Sequence, residues 1–184
     1  MKSRRMSTAI TATIILVNLV CVLLLYLVAN MTMTTMMKRS EMENLHDSLH
    51  VQTEIIQEYI HHQEDLLYTY GDSDVVRAFL KNPDDSALQA EAQAYTERFY
   101  SRLESWEGLY IGEWDTHIIA HSSPEAVGMV TREGEPLLQL QNEMASRNGL
   151  YNAGIIVSPA SGKLIISMYC PVFDTDGNTI LGYV

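Results

Sequence analysis

Ala9 to Ala29 reads AITATIILVNLVCVLLLYLVA, 21 residues without a charge, in which only Thr11, Thr13 and Asn18 are clearly polar. At ~1.5 Å per residue a helix of this length matches the ~30 Å hydrocarbon thickness of a bilayer. A cleaved signal peptide has a shorter apolar region followed by small residues, and Leu27, Val28, Ala29 and Asn30 make a poor cleavage site. The sequence therefore predicts a cytoplasmic N-terminus at 1–8, an uncleaved anchor at 9–30 and an extracytoplasmic domain at 31–184. Lys2, Arg4 and Arg5 set that orientation by the positive-inside rule, and Lys38 and Arg39 oppose it only slightly. The expected location is the cell membrane.

Charge is distributed to match. All 23 acidic residues lie beyond the apolar run, against nine of the 12 basic ones, so that part carries a formal −14. So acidic a surface repels phosphate backbones, which excludes nucleic acid as a partner. It is also repelled by anionic headgroups, so the domain should stand off the membrane. Cys21 lies inside the apolar run and Cys170 inside an expected strand, so no disulfide framework holds the fold. Cys170 reads as a small buried hydrophobe.

Met42, Leu45, Leu49, Gln52, Ile56, Tyr59, Gln63, Leu66 and Tyr70 follow at alternating spacings of 3 and 4, a heptad pattern with no Gly or Pro from Met31 to Tyr70. A stalk helix ~60 Å long follows from this at ~1.5 Å per residue. Its seam fits an identical helix, which implies a homodimer through the stalk; packing on the chain's own domain explains part of the seam equally well. His46 and His50 are four apart near Glu43 and Glu54, but without a Cys they read as a solvated face rather than a metal site.

Beyond the stalk, Asp72, Ser73 and Asp74 read as the cap of a short helix stopped at Asn82-Pro83. Asp84, Asp85 and Ser86 open another, expected to run to Trp106 with Leu88, Ala92, Tyr95, Phe99, Leu103 and Trp106 on one face. After Gly108 the period becomes that of strands. Residues 109–114 and 117–121 form a hairpin about Asp115-Thr116, and 135–147 a helix closed by Asn148-Gly149. Three more strands follow at 150–157, 163–172 and 179–184, with turns at Ser158–Gly162 and Asp174–Asn178. Short turns imply an antiparallel sheet with helices on one face, an α+β fold.

The stretch EGLYIGEWDTHIIAHSSPEAVGM followed by GLYNAGIIVSPASGKLIISMYCPVFDTDGNTILGYV resembles the Cache family of extracytoplasmic sensor domains, in particular the double-Cache type. The resemblance implies a PAS-like half-barrel sheet holding a small ligand in its membrane-distal module. It further implies a second transmembrane helix and a cytoplasmic output domain beyond the strand in which this chain stops. That output would be a diguanylate cyclase, a histidine kinase or a chemotaxis signalling domain, and the strand wording is most similar to diguanylate-cyclase-linked members. Family members that bind amino acids or amines carry an Arg-Trp-Tyr arrangement, then a Tyr and an Asp on the next strand. Here Thr131-Arg132-Glu133-Gly134-Glu135-Pro136 offers only Arg132, and Ile156-Val157-Ser158 lacks the aromatic and the carboxylate. Without that Asp the amine chemistry does not carry over.

Alternation places Tyr110, Gly112 and Trp114 on one face of their strand and His117, Ile119 and His121 on one face of the next. The expected ligand-binding residues are Tyr110, Trp114, His121, Arg132, Tyr151 and Tyr169. Arg132 suits an anion such as a carboxylate, although Glu133 and Glu135 compete for it, and strand aromatics often simply pack. Nucleophile-elbow, phosphate-loop, dinucleotide and zinc-protease motifs are all missing. Asp174, Asp176 and Asn178 have the opening spacing of a calcium loop, but Gly177 is in the wrong place and the twelfth-position Glu is missing, so they read as a turn. No catalytic residue, metal or cofactor is implied. The sequence thus reads as the sensing portion of a receptor, with a membrane-tethered binding or adhesion module as the competing reading.

Overall fold

The computed structural model describes residues 2–147, 149–158 and 162–184. Asn148, expected to help close a helix, and Pro159, Ala160 and Ser161 of an expected turn lie outside the described residues. The chain divides into two units, residues up to Glu58 and residues from Tyr59 on.

The described residues of the first unit are all helical and belong to α1, Lys2–Gly71. Its described side chains are all exposed, among them Leu23, Leu24 and Leu25 at 55–70%. A helix that is apolar all round is stable only in apolar surroundings. From Thr13 on, α1 is long and apolar enough to cross a membrane. Thr32, Thr34 and Thr35 each donate a hydroxyl back to the carbonyl four residues earlier, which keeps these polar groups satisfied within the helix.

The second unit is α+β. The last turns of α1 are followed by α2, Asp74–Lys81, and α3, Ser86–Tyr100. Ser73 caps α2 by accepting the Val75 N–H, and Asp85 caps α3 by accepting those of Ala87 and Leu88. The expected extension of α3 to Trp106 is corrected: the helix ends at Tyr100, where Arg102 and Leu103 donate three residues back to Phe99 and Tyr100. Ser105 at φ 64° then turns the chain away from a helical path. Leu103 and Trp106 still join the same core, delivered by this turn and by the Tyr100 hydroxyl donating to the Trp106 carbonyl at 3.0 Å.

Six strands follow among the described residues: β1, Tyr110–Glu113; β2, Ile118–His121; β3, Tyr151–Val157; β4, Leu164–Tyr169; β5, Pro171–Phe173; and β6, Ile180–Tyr183. Helix α4, Gly134–Arg147, lies between β2 and β3. Two antiparallel sheets replace the single one expected, in order β2-β1-β6-β5 and β3-β4. The expected strand 163–172 divides because Pro171 has no N–H for the ladder. Cys170 bridges the break, exchanging hydrogen bonds of 2.8 and 2.9 Å with Val184, so one bent line of chain pairs with β3 at one end and β6 at the other.

The four-stranded sheet has two distinct faces. Ile111, Ala120, Val172 and Val184 pack with Tyr70, Val76, Phe79 and Ala92 into the helix-side core. Tyr110, Trp114, Tyr169 and Tyr183 form a second cluster with Leu140 and Met144 of α4. Helices therefore cover both faces, not one. A register shift after Ile111 also undoes simple alternation in β2. Ile119 and Ala120 both enter the helix-side core while His121 pairs with Tyr110, so His117, Ile119 and His121 do not share a face.

The end of the heptad seam belongs to this unit. Tyr70 is fully buried, Gln63 accepts the Trp106 indole N–H at 2.5 Å, Glu64 accepts from Asn152, and the Tyr68 hydroxyl accepts the Leu150 N–H. The seam open to another helix is thus shorter than the sequence implied. It comprises Met42, Leu45, Leu49, Ile56 and Tyr59, each 49–67% exposed, with Gln52 among them.

Candidate functional site

The cluster on the α4 side of the sheet is built from aromatic residues on four strands or strand ends. Tyr110 lies parallel to the His121 ring at 5.7 Å and meets Tyr183 edge-on at 5.8 Å. Tyr169 stacks on Tyr151 at 6.2 Å and is tilted against Tyr183 at 6.0 Å. Pairs in these geometries each add about 0.5–1.5 kcal/mol beyond area burial. Gly112 makes the arrangement possible, since a Cβ there would sit 2.6 Å from the Tyr183 ring. Trp114 lines the same cluster, and its carbonyl accepts the Gln141 amide of α4 at 2.7 Å.

Arg132 supplies the charge. Its guanidinium donates to the Tyr169 hydroxyl at 2.7 Å and lies 5.0 Å from the centre of that ring. Among the described residues it makes no ion pair, so neither Glu133 nor Glu135 holds it. A half-buried guanidinium without a carboxylate, seated among phenols, leaves donor N–H groups for an anionic ligand. His121 is pinned: its Nδ1 accepts the Ser123 N–H at 2.8 Å, and its backbone exchanges two hydrogen bonds with the Gln93 side chain. Burial lowers its pKa, so it stays neutral through the neutral range.

All six residues expected from the sequence thus meet at one cluster, Tyr110, Trp114, Tyr151 and Tyr169 as members and His121 and Arg132 stacked on its rings. Sequence reasoning missed Tyr183, Leu140 and Met144. Tyr183 is the fully buried centre, and its signal was Gly112 between two aromatic positions, a gap that calls for a large ring opposite. Leu140 and Met144 carry the plain helical spacing of four. Among the described residues no group of three His, Cys, Asp or Glu is placed to hold a metal. Burial pushes the Cys170 thiol up to about 12, so it remains a protonated packing group.

Burial raises the Tyr110 and Tyr183 pKa values above the ordinary 10.0, with the Tyr183 and Tyr169 phenols adding at Tyr110 and Tyr169 adding at Tyr183, and burial does the same at Tyr70. The unfolded chain loses these protons near pH 10 while the folded chain keeps them. The stability these three phenols contribute is therefore full below about pH 10 and falls as pH rises beyond it. Urea midpoints measured between pH 8 and 11.5 should show this fall, and Tyr110→Phe should flatten it. An unchanged slope in Tyr110→Phe would place that phenol in water.

No protein-family profile matches the chain, and no curated protein matches it significantly. Among solved structures, the E. coli DcuS sensor domain is similar to it at 18% sequence identity, over 65% of this chain and 79% of that one, with a TM-score of 0.42.

Proposed function

We propose that this chain is the membrane-anchored, extracytoplasmic sensing portion of a bacterial signalling receptor. In this reading residues 9–30 span the bilayer, the N-terminus is cytoplasmic, and residues 31–184 face outward as one sensor domain of double-Cache type. The strand wording alone supports that finer assignment. Two copies pair through the exposed seam from Met42 to Tyr59, whose apolar side chains have no partner on their own chain among the described residues. The chain binds rather than catalyses, and passes the binding event to an output domain across the membrane.

One observation carries the reading. Strand β6 presents Tyr183 to the aromatic cluster, while the next residue, Val184, faces Gly71, the last residue of α1; a Cβ on Gly71 would lie 2.9 Å from Val184. A ligand that moves Tyr183 therefore acts on the strand that holds the end of the stalk. A coupling of ~1–3 kcal/mol between the two arrangements suffices for a several-fold response.

The ligand class follows from Arg132: a small carboxylate with an apolar or aromatic body. Thermal-shift measurements on the full chain with small carboxylates and their neutral amides test this. The carboxylate should raise Tm by several degrees and the amide should not. In Arg132→Ala the affinity should fall about tenfold or more, since a hydrogen bond to a charged group contributes about 1.5–3 kcal/mol. Trp114→Ala should also weaken carboxylate binding, through loss of the apolar wall that receives the ligand's body. Stabilisation that survives in Arg132→Ala would place the anion elsewhere.

A further inference from the structure

The turn joining β1 and β2 holds an unexpected residue. Thr116 sits at φ 70°, a region that β-branched residues rarely enter, and it is fully buried. Glycine would adopt this backbone without strain. What glycine lacks is a hydroxyl, and the Thr116 hydroxyl does two things at once. It donates to the Arg132 carbonyl at 2.8 Å and accepts the Arg132 N–H at 3.1 Å. The Thr116 carbonyl accepts the Thr131 N–H at 3.1 Å as well. Three hydrogen bonds from one residue thus clamp the backbone of Thr131 and Arg132. The segment they hold is bounded by Gly128 at φ 92° and Gly134 at φ 60°, both in open space. Its other backbone hydrogen bonds among the described residues run to the start of β2, through Gly128, Met129 and the His117–Val130 bridge, and to the Ala126 carbonyl, while the Thr131 hydroxyl lies 3.5 Å from that of Tyr183.

We propose that Thr116 is a positioning residue for the ligand site: by clamping both backbone groups of Arg132 it fixes the guanidinium over Tyr169. A strained backbone retained at a buried turn is accounted for when the side chain it delivers is needed there. The clamp sets how much of the guanidinium's order is present before an anion arrives, and so how tightly the anion binds. The step from clamp to affinity rests on the reading of Arg132 as the anion-binding group, whereas the clamp itself does not.

The test compares Thr116→Gly, which removes the hydroxyl and relieves the backbone, with Thr116→Ser, which keeps the hydroxyl. The full chain is held in lipid nanodiscs. Phenylglyoxal modification of each arginine is followed by mass spectrometry, with Arg77 as internal reference because Asp72, Asp74 and the Phe173 carbonyl hold it independently of Thr116. In Thr116→Gly the Arg132 rate should rise about tenfold with Arg77 unchanged, and in Thr116→Ser both should stay within about twofold of wild type. Phenylacetate titration should show affinity falling in Thr116→Gly and kept in Thr116→Ser. An unchanged Arg132 rate in Thr116→Gly overturns the proposal. So does a parallel rise at Arg77, which would mean general loosening. If Arg132 alone is released but phenylacetate titrates identically in wild type and Arg132→Ala, the clamp stands and the anion-site reading fails.

Discussion

Gly182→Ala is expected to destabilise the sheet domain by about 3 kcal/mol or more, and Gly182→Val to prevent its folding. A Cβ at this position would sit 2.5 Å from the Gly112 carbonyl oxygen on the neighbouring strand and 2.6 Å from Leu80 of α2. The first of these is backbone, and it cannot yield without opening the β1–β6 ladder, in which Glu113 pairs with Gly182 and Gly112 with Tyr183. Leu80 cannot yield easily either, being 7% exposed in the helix-side core. Domains of this kind are held by only about 5–15 kcal/mol, so a clash with both the adjacent strand and the covering helix consumes much of the margin. Urea denaturation followed by far-UV circular dichroism measures the loss. Gly177→Ala is the control, since a Cβ there meets nothing and only the φ of 70° resists it; its cost should be about 1–2 kcal/mol. A wild-type midpoint in Gly182→Ala would mean that β6 does not lie between β1 and β5.

Tyr70→Ala should cost about 3–5 kcal/mol, the range for emptying a large aromatic site. Tyr70 is fully buried, stacks on Tyr95 at 5.5 Å and meets Phe99 at 5.1 Å. Thr96 already donates its hydroxyl to the Ala92 carbonyl, so the Tyr70 hydroxyl is the donor in their 2.6 Å contact. Tyr70→Phe therefore loses one hydrogen bond and keeps the ring, a cost near 1 kcal/mol. The two variants separate packing from polarity at the point where α1 enters the domain. Equal costs would show that the ring is not packed as described.

Much of this architecture was legible in the residues. The apolar run at 9–29, the Ser73 and Asp85 caps and the hairpin about Asp115-Thr116 each follow from a local rule and needed no tertiary information. The six expected site residues converged because strand alternation carries side chains to a face, and β1 kept its face from Tyr110 through Gly112 to Trp114. The failures came where distant packing decides. Pro171 stood in plain view, yet whether it ends a strand or bends one depends on Val184 being there to pair with Cys170. Heptad spacing cannot tell a partner helix from the chain's own core, and Gln63 and Tyr70 went to the core. Ile119 left its expected face because of a register shift that only the β1–β2 pairing reveals. By sequence Thr116 is simply a turn residue. Nothing local marks it as the clamp of a residue 16 positions away.

The central claim is the partition of the chain by a membrane. It is tested by labelling single cysteines with a membrane-impermeant maleimide in spheroplasts, in a Cys21→Ser, Cys170→Ser background. A cysteine introduced as Asp84→Cys, at an exposed site in the loop before α3, should label in intact spheroplasts, and one introduced as Ser3→Cys only after lysis. The reverse pattern, with position 3 labelled from outside and position 84 protected until lysis, would contradict the receptor reading.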